Sequence, residues 1–551
     1  MTHQSRAVHF AVITCVTAAC SPPPAANTPA PIASAAVASV DSNNWPSYNR
    51  TLAGDRYSPL TNIDPSNVAR LSTVCSYKLP EVTSLQTGPI VIDGSMYFTT
   101  DTISYAIDAA TCAERWKQIR HSETPSALAV NRGFAYMDGR LFRGTSDAHV
   151  IALDAKDGKT LWDYQIDMKR PGVTIPMAPI AANGLVFAGN AGGDQVGVTG
   201  HVYALDAKDG HVVWRFDVVP STPAVTATWP DAPRVPISGG AFWTSFTYDA
   251  PNGILYVPSG NPAPDFDIER RHGDNLYTNS VIALDASTGK MLAYNQIVKH
   301  DVHDWDVDSP PALATTRGGK MIVASSNKDG LLSVMERSRV RRGAATADLT
   351  APLPLLYQVP TTTRTNVNVP MSRTSKVRFC PGIIGGTEWN GAAYDPRNNT
   401  LYAGAVDWCV SLMIQPANAP IPALGQTWLG AATPQAEMFD SVSHSSGWVT
   451  AVDADNGSVR WKYHAPSPIL AGVTPTASGL VFTADMKGNI YALDAVTGKI
   501  LWQHDTGQST GGGVITYSVG GKQLLAIASG MKSPVWPGGA SESQMLVFGL
   551  K

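Results

Sequence analysis

The sequence predicts an all-β fold, an eight-bladed β-propeller, on three grounds: its composition, a recurring phrase, and a C-terminal strand that can pair near the N-terminus. Of the 551 residues only 15% are charged, while 48 are glycine and 40 are proline. Such a composition suits many short strands joined by tight turns better than long surface helices. The formal net charge of -3 argues against a nucleic-acid partner or an anionic membrane surface.

One phrase recurs with an alternating apolar strand, a turn at Asp-x-x-x-Gly and a second strand that ends in an aromatic residue. This is the pattern of a β-hairpin. Its copies are SYAIDAATCAERW, VIALDAKDGKTLW, VYALDAKDGHVVW, VIALDASTGKMLAY, VTAVDADNGSVRW and IYALDAVTGKILW, with a degenerate seventh copy, LLSVMERSRVRRG. Strand-like runs such as GLVFAGN and GILYVPSGN lie between the copies, so each unit is expected to supply a four-stranded sheet.

The spacing of the copies predicts the propeller. Units of roughly 40 to 50 residues with four strands each are typical of propeller blades, whose radial closure leaves few exposed edges. Seven visible copies, together with a C-terminal QMLVFGL that can pair with N-terminal strands, predict eight blades. We expect the aromatic residue that ends each copy to pack between neighbouring blades.

The N-terminal segment is typical of export. Residues 1–20 combine a basic Arg6 with an apolar run that is too short to span a bilayer, and they predict a signal peptide and a periplasmic protein. The small residues before Cys20 also resemble a lipoprotein signal, so a lipid anchor at Cys20 and a plain cleaved signal remain alternatives. Residues 21–42 are rich in alanine and proline and predict a tether, which leaves 43–551 as the propeller.

The cysteines predict two disulfides. The folded part has four, an even number in a chain that carries an export signal. Because each flanking pair lies within one stretch of repeat, we expect Cys75 to bond Cys112 and Cys380 to bond Cys409, although four cysteines permit three connectivities. Reduced core thiols are the alternative. The sequence contains no C-x-x-C-H, so no covalently attached c-type haem is expected, and any haem relay would belong to another protein.

An acidic segment suggests a bound cation. The stretch KHDVHDWDVDSPP places carboxylates at Asp301, Asp304, Asp306 and Asp308. Neighbouring carboxylates repel at neutral pH, and an opposite charge or a metal ion is the usual remedy. On strand geometry Asp304 and Asp306 would project to the same face. Asp301 and Asp308 are expected to be solvated or turn-forming.

The repeats, the acidic segment and the opening NWPSYNRTLAGDRYSPLTNIDPSNVARL together resemble the pyrroloquinoline quinone (PQQ)-dependent alcohol dehydrogenases from about Asn43 to the C-terminus. The resemblance implies an eight-bladed propeller that binds PQQ beside Ca²⁺ or a lanthanide ion. It implies a dehydrogenase acting on CH-OH groups, which oxidises a small-molecule alcohol to an aldehyde or ketone. The electrons would pass to an external acceptor, either a soluble cytochrome or a quinone.

The resemblance also assigns catalytic and metal-binding roles. HDVHDW matches the family's His-Asp-x-Trp-Asp-aromatic pattern, which makes Asp304 the catalytic base and a metal ligand, with His303 in place of the usual Trp. Asp306 stands where lanthanide-using relatives often have an extra metal ligand. Asp194 in GNAGGDQVGVTG stands where a longer Glu usually binds the metal, and Asn261 in LYVPSGNPAP matches the amide ligand.

The cofactor contacts follow in the same way. Trp243 matches the indole that lies under the quinone ring, and Lys328 in SNKDG matches the cation beside the reactive carbonyl, where it would serve catalysis as well as binding. The remaining matches to cofactor-binding positions are Gln86, Arg132, Thr145, Asn390 and Trp536.

One departure from the family leaves alternatives open. Ser126 and Ala127 stand where many relatives have two adjacent cysteines that form a ring over the quinone. That lid is expected to be absent, as in some sugar-oxidising relatives, so a PQQ sugar or polyol dehydrogenase is one alternative. A non-catalytic propeller scaffold of the cell envelope is the other, and it would need the repeats but not the site residues.

Overall fold

The sheet topology confirms the predicted eight-bladed propeller. The structure, a computed structural model, describes residues 1–2, 41–122, 130–166, 171–343, 353–536 and 539–551. Residues 39–551 form one unit, in which eight four-stranded antiparallel sheets follow one another along the chain. The expectations for 1–20 and 21–42, including an anchor at Cys20, fall almost entirely outside the described residues and stay predictions.

We number the blades in chain order and the strands of each blade from first to fourth. Blades 1 to 4 consist of Ile90–Ile92, Ser95–Thr99, Ile103–Asp108 and Glu114–Ile119; Ala135–Met137, Arg140–Gly144, His149–Asp154 and Thr160–Gln165; Ile180–Ala182, Leu185–Gly189, His201–Asp206 and Val212–Asp217; and Thr247–Asp249, Ile254–Pro258, Ser280–Asp285 and Met291–Gln296. Blades 5 to 7 consist of Ala312–Thr315, Met321–Ser326, Leu331–Glu336 and Leu355–Pro360; Ala393–Asp395, Thr400–Asp407, Ser446–Asp453 and Val459–Ala465; and Thr474–Pro475, Leu480–Ala484, Asn489–Asp494 and Ile500–Asp505.

The remaining elements are blade 8, two small sheets and five short helices. Blade 8 consists of Val514–Val519, Lys522–Ser529, Gln544–Leu550 and, as its fourth strand, Leu71–Lys78. The small sheets pair Ser238–Gly239 with Pro262–Ala263 and Val377–Phe379 with Val410–Leu412, and the helices are Val68–Arg70, Pro223–Thr226, Ile268–Arg270, Gln435–Glu437 and Val442–His444. Among the described residues no helix is long and apolar enough to cross a membrane.

Blade 8 closes the ring with both ends of the chain. Its fourth strand, Leu71–Lys78, pairs antiparallel with Gln544–Leu550, so that Leu71 lies opposite Leu550. The hydroxyl of Tyr517 in this blade donates to the carbonyl of Ala109 in blade 1 at 2.6 Å. The predicted role of QMLVFGL as the closing strand is therefore confirmed.

The order of strands within a blade determines which loops gather near the axis. First strands such as Ile90–Ile92 are buried along their whole length, whereas fourth strands such as Thr160–Gln165 are largely exposed. First strands therefore line the centre. Because the strands are antiparallel, the loop that enters the first strand and the loop between the second and third lie at the same end of the sheet. We call this end the loop face.

The tryptophans that end four of the repeats dock their blades on the next blade. Trp162 of blade 2 donates its indole N–H to the carbonyl of Ala207 in blade 3 at 3.1 Å, and its ring lies against Gly210. Equivalent bonds join Trp116 to Ala155, Trp214 to Ala286 and Trp461 to Ala495. The predicted packing of these aromatics between blades is therefore confirmed.

The Asp-x-x-x-Gly turn has a local cause. In blade 3 the carboxylate of Asp206 accepts the backbone N–H of Lys208, and Gly210 adopts φ +81. In the first copy Cys112 takes the glycine position with φ 59, and it forms the disulfide with Cys75. The second disulfide joins Cys380 to Cys409, so both predicted pairings are confirmed.

We predict that Gly210→Ala destabilises the propeller more than Gly184→Ala. Both glycines have positive φ, of +81 and +78, so each alanine should cost about 1 kcal/mol of backbone strain. Only at Gly210 would the new Cβ meet another residue, the ring of Trp162 at 2.6 Å, which should add about 1 to 3 kcal/mol. Denaturant unfolding of both variants measures the difference, and equal losses would contradict docking through this ring.

Candidate active site

The residues predicted to form the site all come from the loop face. Asp194, Asn261 and Lys328 follow the second strands of blades 3, 4 and 5, as Thr145 and Trp536 do in blades 2 and 8. The others precede first strands: Gln86, Arg132, Trp243, Asn390 and the acidic segment 301–308. The alternation of strand directions therefore places residues from distant blades at one end of the propeller.

Lys328 holds the two central carboxylates together. Its Nζ lies 2.9 Å from Asp304 Oδ1 and 2.9 Å from Asp306 Oδ2, and all three side chains are largely buried. Burial alone would lower the pKa of Lys328. Four acids, Asp304, Asp306, Glu388 and Asp308, together outweigh burial and raise that pKa well above its ordinary value. Burial raises the pKa of Asp304 despite the opposing ammonium. The predicted trio is thus brought into direct contact.

The carboxylates of Asp304 and Asp306 meet, as predicted, but strand geometry is not the reason. The segment forms no strand, and Asp304 has φ 61. The turn is held by Asp301, whose carboxylate accepts the backbone N–H groups of His303 at 3.0 Å and Trp305 at 2.9 Å.

The expectation that Asp301 and Asp308 are solvated is wrong. Asp301 is turn-forming, as the alternative expected, but it is buried. Asp308 is buried as well, and neither of its carboxylate oxygens has a hydrogen-bond partner. Burial, and then repulsion from Glu388 and Asp306, raises its pKa well above the ordinary value.

Asp194 and Asn261 lie beside this trio. Burial, and then repulsion from Asp306, raises the pKa of Asp194 to about 6. The backbone N–H of Asn261 donates to Asp306 Oδ1 at 2.7 Å, and its side-chain Nδ2 donates to the carbonyl of Pro262. The amide oxygen Oδ1 of Asn261 therefore stays available to bind a metal ion. Gly260 is required here, because a Cβ would lie 2.4 Å from Asp306 Oδ1.

The sequence analysis missed one acid of this cluster, Asp265. Asp265 is completely buried, and neither of its carboxylate oxygens has a hydrogen-bond partner. Burial, and then repulsion from Asp194, Asp304 and Asp306, raises its pKa well above the ordinary value. We call these four residues the acidic hub: Asp194, Asp265, Asp304 and Asp306.

The acidic hub has the donor chemistry of a site for a hard cation. In this conformation the cation between Asp304 and Asp306 is the ammonium of Lys328, and within the described residues no three His, Cys, Asp or Glu side chains are close enough to hold a metal ion. The donor set nevertheless fits one, because it offers four carboxylates and the amide oxygen of Asn261. These are oxygen ligands of the kind that Ca²⁺ and similar ions prefer.

The second part of the site is a cation between indoles. The guanidinium carbon of Arg132 lies 4.8 Å from the ring centroid of Trp243 and 4.9 Å from that of Trp389, and Trp389 packs edge-on against Trp536. Arg132 also donates to Gln86 Oε1 at 3.0 Å. We call these five residues the aromatic wall. Burial lowers the pKa of Arg132 to about 10, so the guanidinium keeps its charge at neutral pH.

The aromatic wall fits a flat anionic ligand such as PQQ. It combines large planar surfaces with a buried guanidinium whose Nε has no hydrogen-bond partner. The sequence analysis missed Glu388. Both Lys328 and Arg132 act electrostatically on this acid, so it interacts with both parts of the site. Burial raises its pKa to about 7, and its Oε1 has no hydrogen-bond partner. The sequence signal that could have found it is its position two residues before the predicted Asn390.

Three other predicted features stand apart. Asn390 accepts a hydrogen bond from the hydroxyl of Tyr48 at 2.9 Å and donates to the carbonyls of Leu470 and Gly511, so its amide serves the fold in this conformation. The hydroxyl of Thr145 bonds within its own loop, to Asp147 and His149. Their cofactor roles stay predictions. The expected lid positions, Ser126 and Ala127, lie outside the described residues.

Comparison with known proteins agrees with the geometry. Residues 45–340 match the family model described as the glucose, ethanol and alcohol dehydrogenase β-propeller domain. Residues 445–536 match a model described as outer membrane protein assembly factor BamB.

Individual relatives cover most of the chain. The chain is 30% identical to the quinohemoprotein alcohol dehydrogenase ADH-IIG of Pseudomonas putida, over 95% of this chain and 77% of the relative. It is 28% identical to the lanthanide-dependent methanol dehydrogenase of Methylacidiphilum fumariolicum, over 88% of this chain and 84% of the relative. The solved structure of ADH-IIG superposes with a TM-score of 0.81 at 26% identity, over 92% of this chain and 80% of that one.

We predict that Lys328→Met destabilises the metal-free protein by about 3 to 5 kcal/mol, because Asp304 and Asp306 would lose the ammonium that balances them in a buried place. Lys320→Met is the control, since that lysine is exposed and its loss should change stability by less than about 0.5 kcal/mol. Denaturant unfolding with a chelator present compares the two. Equal stabilities would show that the carboxylates do not depend on this cation.

Proposed function

Because this chain belongs to the family of PQQ-dependent alcohol dehydrogenases, we propose that it oxidises a small alcohol to an aldehyde or ketone at the loop face, with Asp304 as the base. The observation that carries these roles is the buried contact of Lys328 with both Asp304 and Asp306 at 2.9 Å. When bound, PQQ would accept a hydride from the alcohol carbon, and a bound cation would act as a Lewis acid.

Asp304 is placed to accept the hydroxyl proton of the alcohol at its carboxylate. Burial strengthens it as a base by raising its pKa, while the neighbouring ammonium of Lys328 favours its ionised form. The side chain is 16% exposed, so a substrate can approach it from the loop face.

Lys328 has a second role in this proposal. Its ammonium is the nearest positive charge to Asp304, and it can stabilise negative charge that develops on an oxygen beside the base. A bound cation would be held by four residues: Asp194, Asn261, Asp304 and Asp306. The charge of these ligands supports a lanthanide as well as Ca²⁺, and one matched relative is named a lanthanide-dependent methanol dehydrogenase.

The aromatic wall binds the cofactor. Trp243 offers a planar face, Arg132 pairs with carboxylate oxygens, and Gln86 orients Arg132 through their hydrogen bond. Trp536 supports the wall through its edge contact with Trp389. Thr145 and Asn390 are retained as cofactor contacts only on the resemblance.

The setting of the reaction is part of the same proposal. The N-terminal signal and two disulfides support an exported, periplasmic protein, because such bonds persist in oxidising compartments. Electrons would leave for an external acceptor, a soluble cytochrome or a quinone.

The scaffold alternative is less well supported. The match to the assembly-factor model covers only residues 445–536, which lie in repeats that enzymes and scaffolds of this fold share. A scaffold would have no use for the acidic hub and its buried lysine.

We predict that Asp304→Asn lowers the turnover number by about 100-fold or more, because an amide cannot accept the proton. PQQ should still bind, since the aromatic wall is unchanged. Dye reduction with an alcohol panel measures turnover, and quenching of tryptophan fluorescence measures PQQ binding. Full turnover by Asp304→Asn would exclude this base.

We predict that Asp306→Ala weakens lanthanide-supported activity more than Ca²⁺-supported activity, because a trivalent ion depends more on carboxylate charge. Asp306→Asn separates charge from position, since an amide oxygen can still accept the N–H of Asn261. Both variants are assayed in protein reconstituted with each ion. Equal losses with the two ions would remove the lanthanide inference.

A further inference from the structure

Asp265 is a buried acid of the site without a hydrogen-bond partner. It is completely buried, and neither carboxylate oxygen accepts a hydrogen bond, a property that it shares with Asp308 among the described residues. Asp267, only two residues further on, is also buried, but Arg373 pairs with its carboxylate at 2.8 Å. An unpaired buried carboxylate is costly, and such a group in a folded protein calls for a physical explanation.

Backbone hydrogen bonds hold the loops that carry Asp265 and Asp194 against the same segment of the chain. The N–H of Trp428 donates to the carbonyl of Asp194 at 2.7 Å, and the carbonyl of the next residue, Leu429, accepts the N–H of Phe266 at 3.1 Å. Two consecutive residues therefore hold the loops that carry both acids. This explains why Asp194 is the acidic neighbour that acts most strongly on Asp265.

A buried arginine, Arg271, links the loop of Asp265 to the turn at Asp301 that carries Asp304. Arg271 donates to the carbonyl of Pro264 at 3.1 Å and also to the carbonyl of Asp301. Its guanidinium is thus engaged by backbone carbonyls and by Oδ1 of Asn275. The carboxylate of Asp265 accepts no hydrogen bond from it, although the guanidinium charge acts on Asp265. The acid is held in place by its backbone while its side chain stays unpaired.

We propose that Asp265 is a further carboxylate donor to the cation of this site, beyond Asp194, Asn261, Asp304 and Asp306. This rests on the proposed function. The acids that act most strongly on Asp265 are the three carboxylates already assigned to the cation, which favours the cation over a charged group of a substrate as its partner.

Charge balance points the same way. With Asp265 included, the acidic hub carries four negative charges when ionised. Lys328 supplies one positive charge and the buried guanidinium of Arg271 acts on Asp265, so negative charge is left over for a bound cation. Hard cations bind carboxylate oxygens, and affinity rises with the number of charged ligands.

The test compares wild type with Asp265→Asn in the full chain reconstituted with PQQ. Eu³⁺ is bound, its luminescence lifetime in H₂O and D₂O counts the coordinated waters, and chelator competition gives the affinities for Eu³⁺ and Ca²⁺. We expect the variant to bind Eu³⁺ about 10-fold or more weakly, with a smaller loss for Ca²⁺ and additional coordinated water.

A second measurement separates a ligand from a structural residue. Without metal, Asp265→Asn should melt at a higher temperature than wild type, because a buried unpaired charge is removed. With La³⁺, the variant should gain less in melting temperature than wild type. Asp329→Asn is the matched control: Asp329 is also buried, and an amide can keep its bond to the N–H of Leu331. It should change neither metal affinity nor hydration.

The outcomes are distinguishable. Unchanged Eu³⁺ affinity and hydration in Asp265→Asn would overturn this inference, and so would equal losses in Asp329→Asn. If the variant keeps its metal but loses affinity for amino alcohols, a cationic substrate group is the partner and the inference also fails. Wild type that binds neither PQQ nor Eu³⁺ would overturn the proposed function itself.

Discussion

The site depends on the balance of charge around Lys328. Its ammonium contacts Asp304 and Asp306 at 2.9 Å, and four further acids in buried or half-buried positions act on this trio: Asp194, Asp265, Asp308 and Glu388. Arg132 acts on Glu388, and Arg271 acts on Asp265. Three cations cannot balance six ionised acids in a medium of low polarity, so the pKa values of several of these acids are raised. A bound metal ion would let the hub carboxylates ionise together.

The propeller supplies the rigidity that such a concentration of charge requires. Four of the blades are docked on the next by an indole N–H that donates to a backbone carbonyl, as Trp162 does to Ala207, and blade 8 joins the two ends of the chain. The loops of the loop face begin and end on these strands. Repulsion among the acids therefore acts against a closed ring of sheets, which cannot relax by separating two blades without breaking several such contacts.

The features that repeat or that form contiguous motifs could be predicted from the sequence. The blade number, the docking aromatics and both disulfides follow from a local phrase and its spacing, and Asp304, Asp306 and Lys328 follow from short motifs. Asp265 could not be found in this way, because a single acid in a proline-rich loop has the pattern of an ordinary turn residue. Its loop is held near Asp194 because Phe266 bonds to Leu429 and Asp194 bonds to Trp428, residues far along the chain. Strand periodicity failed at 301–308 because side chains and Lys328, not a sheet, determine the conformation there.

The position of the proposed base, Asp304, is determined by contacts that reach well beyond the hub. A non-glycine residue with positive φ, such as Asp304, has little intrinsic preference for its conformation, so neighbouring groups must impose it. Asp301 does so from one side by accepting the N–H groups of His303 and Trp305. From the other side, Trp305 donates its indole N–H to the carbonyl of Pro381 at 3.0 Å. Pro381 directly follows Cys380, whose disulfide to Cys409 anchors this part of the chain. A covalent bond remote from the hub is therefore linked, through one proline and one indole, to Asp304, the proposed base.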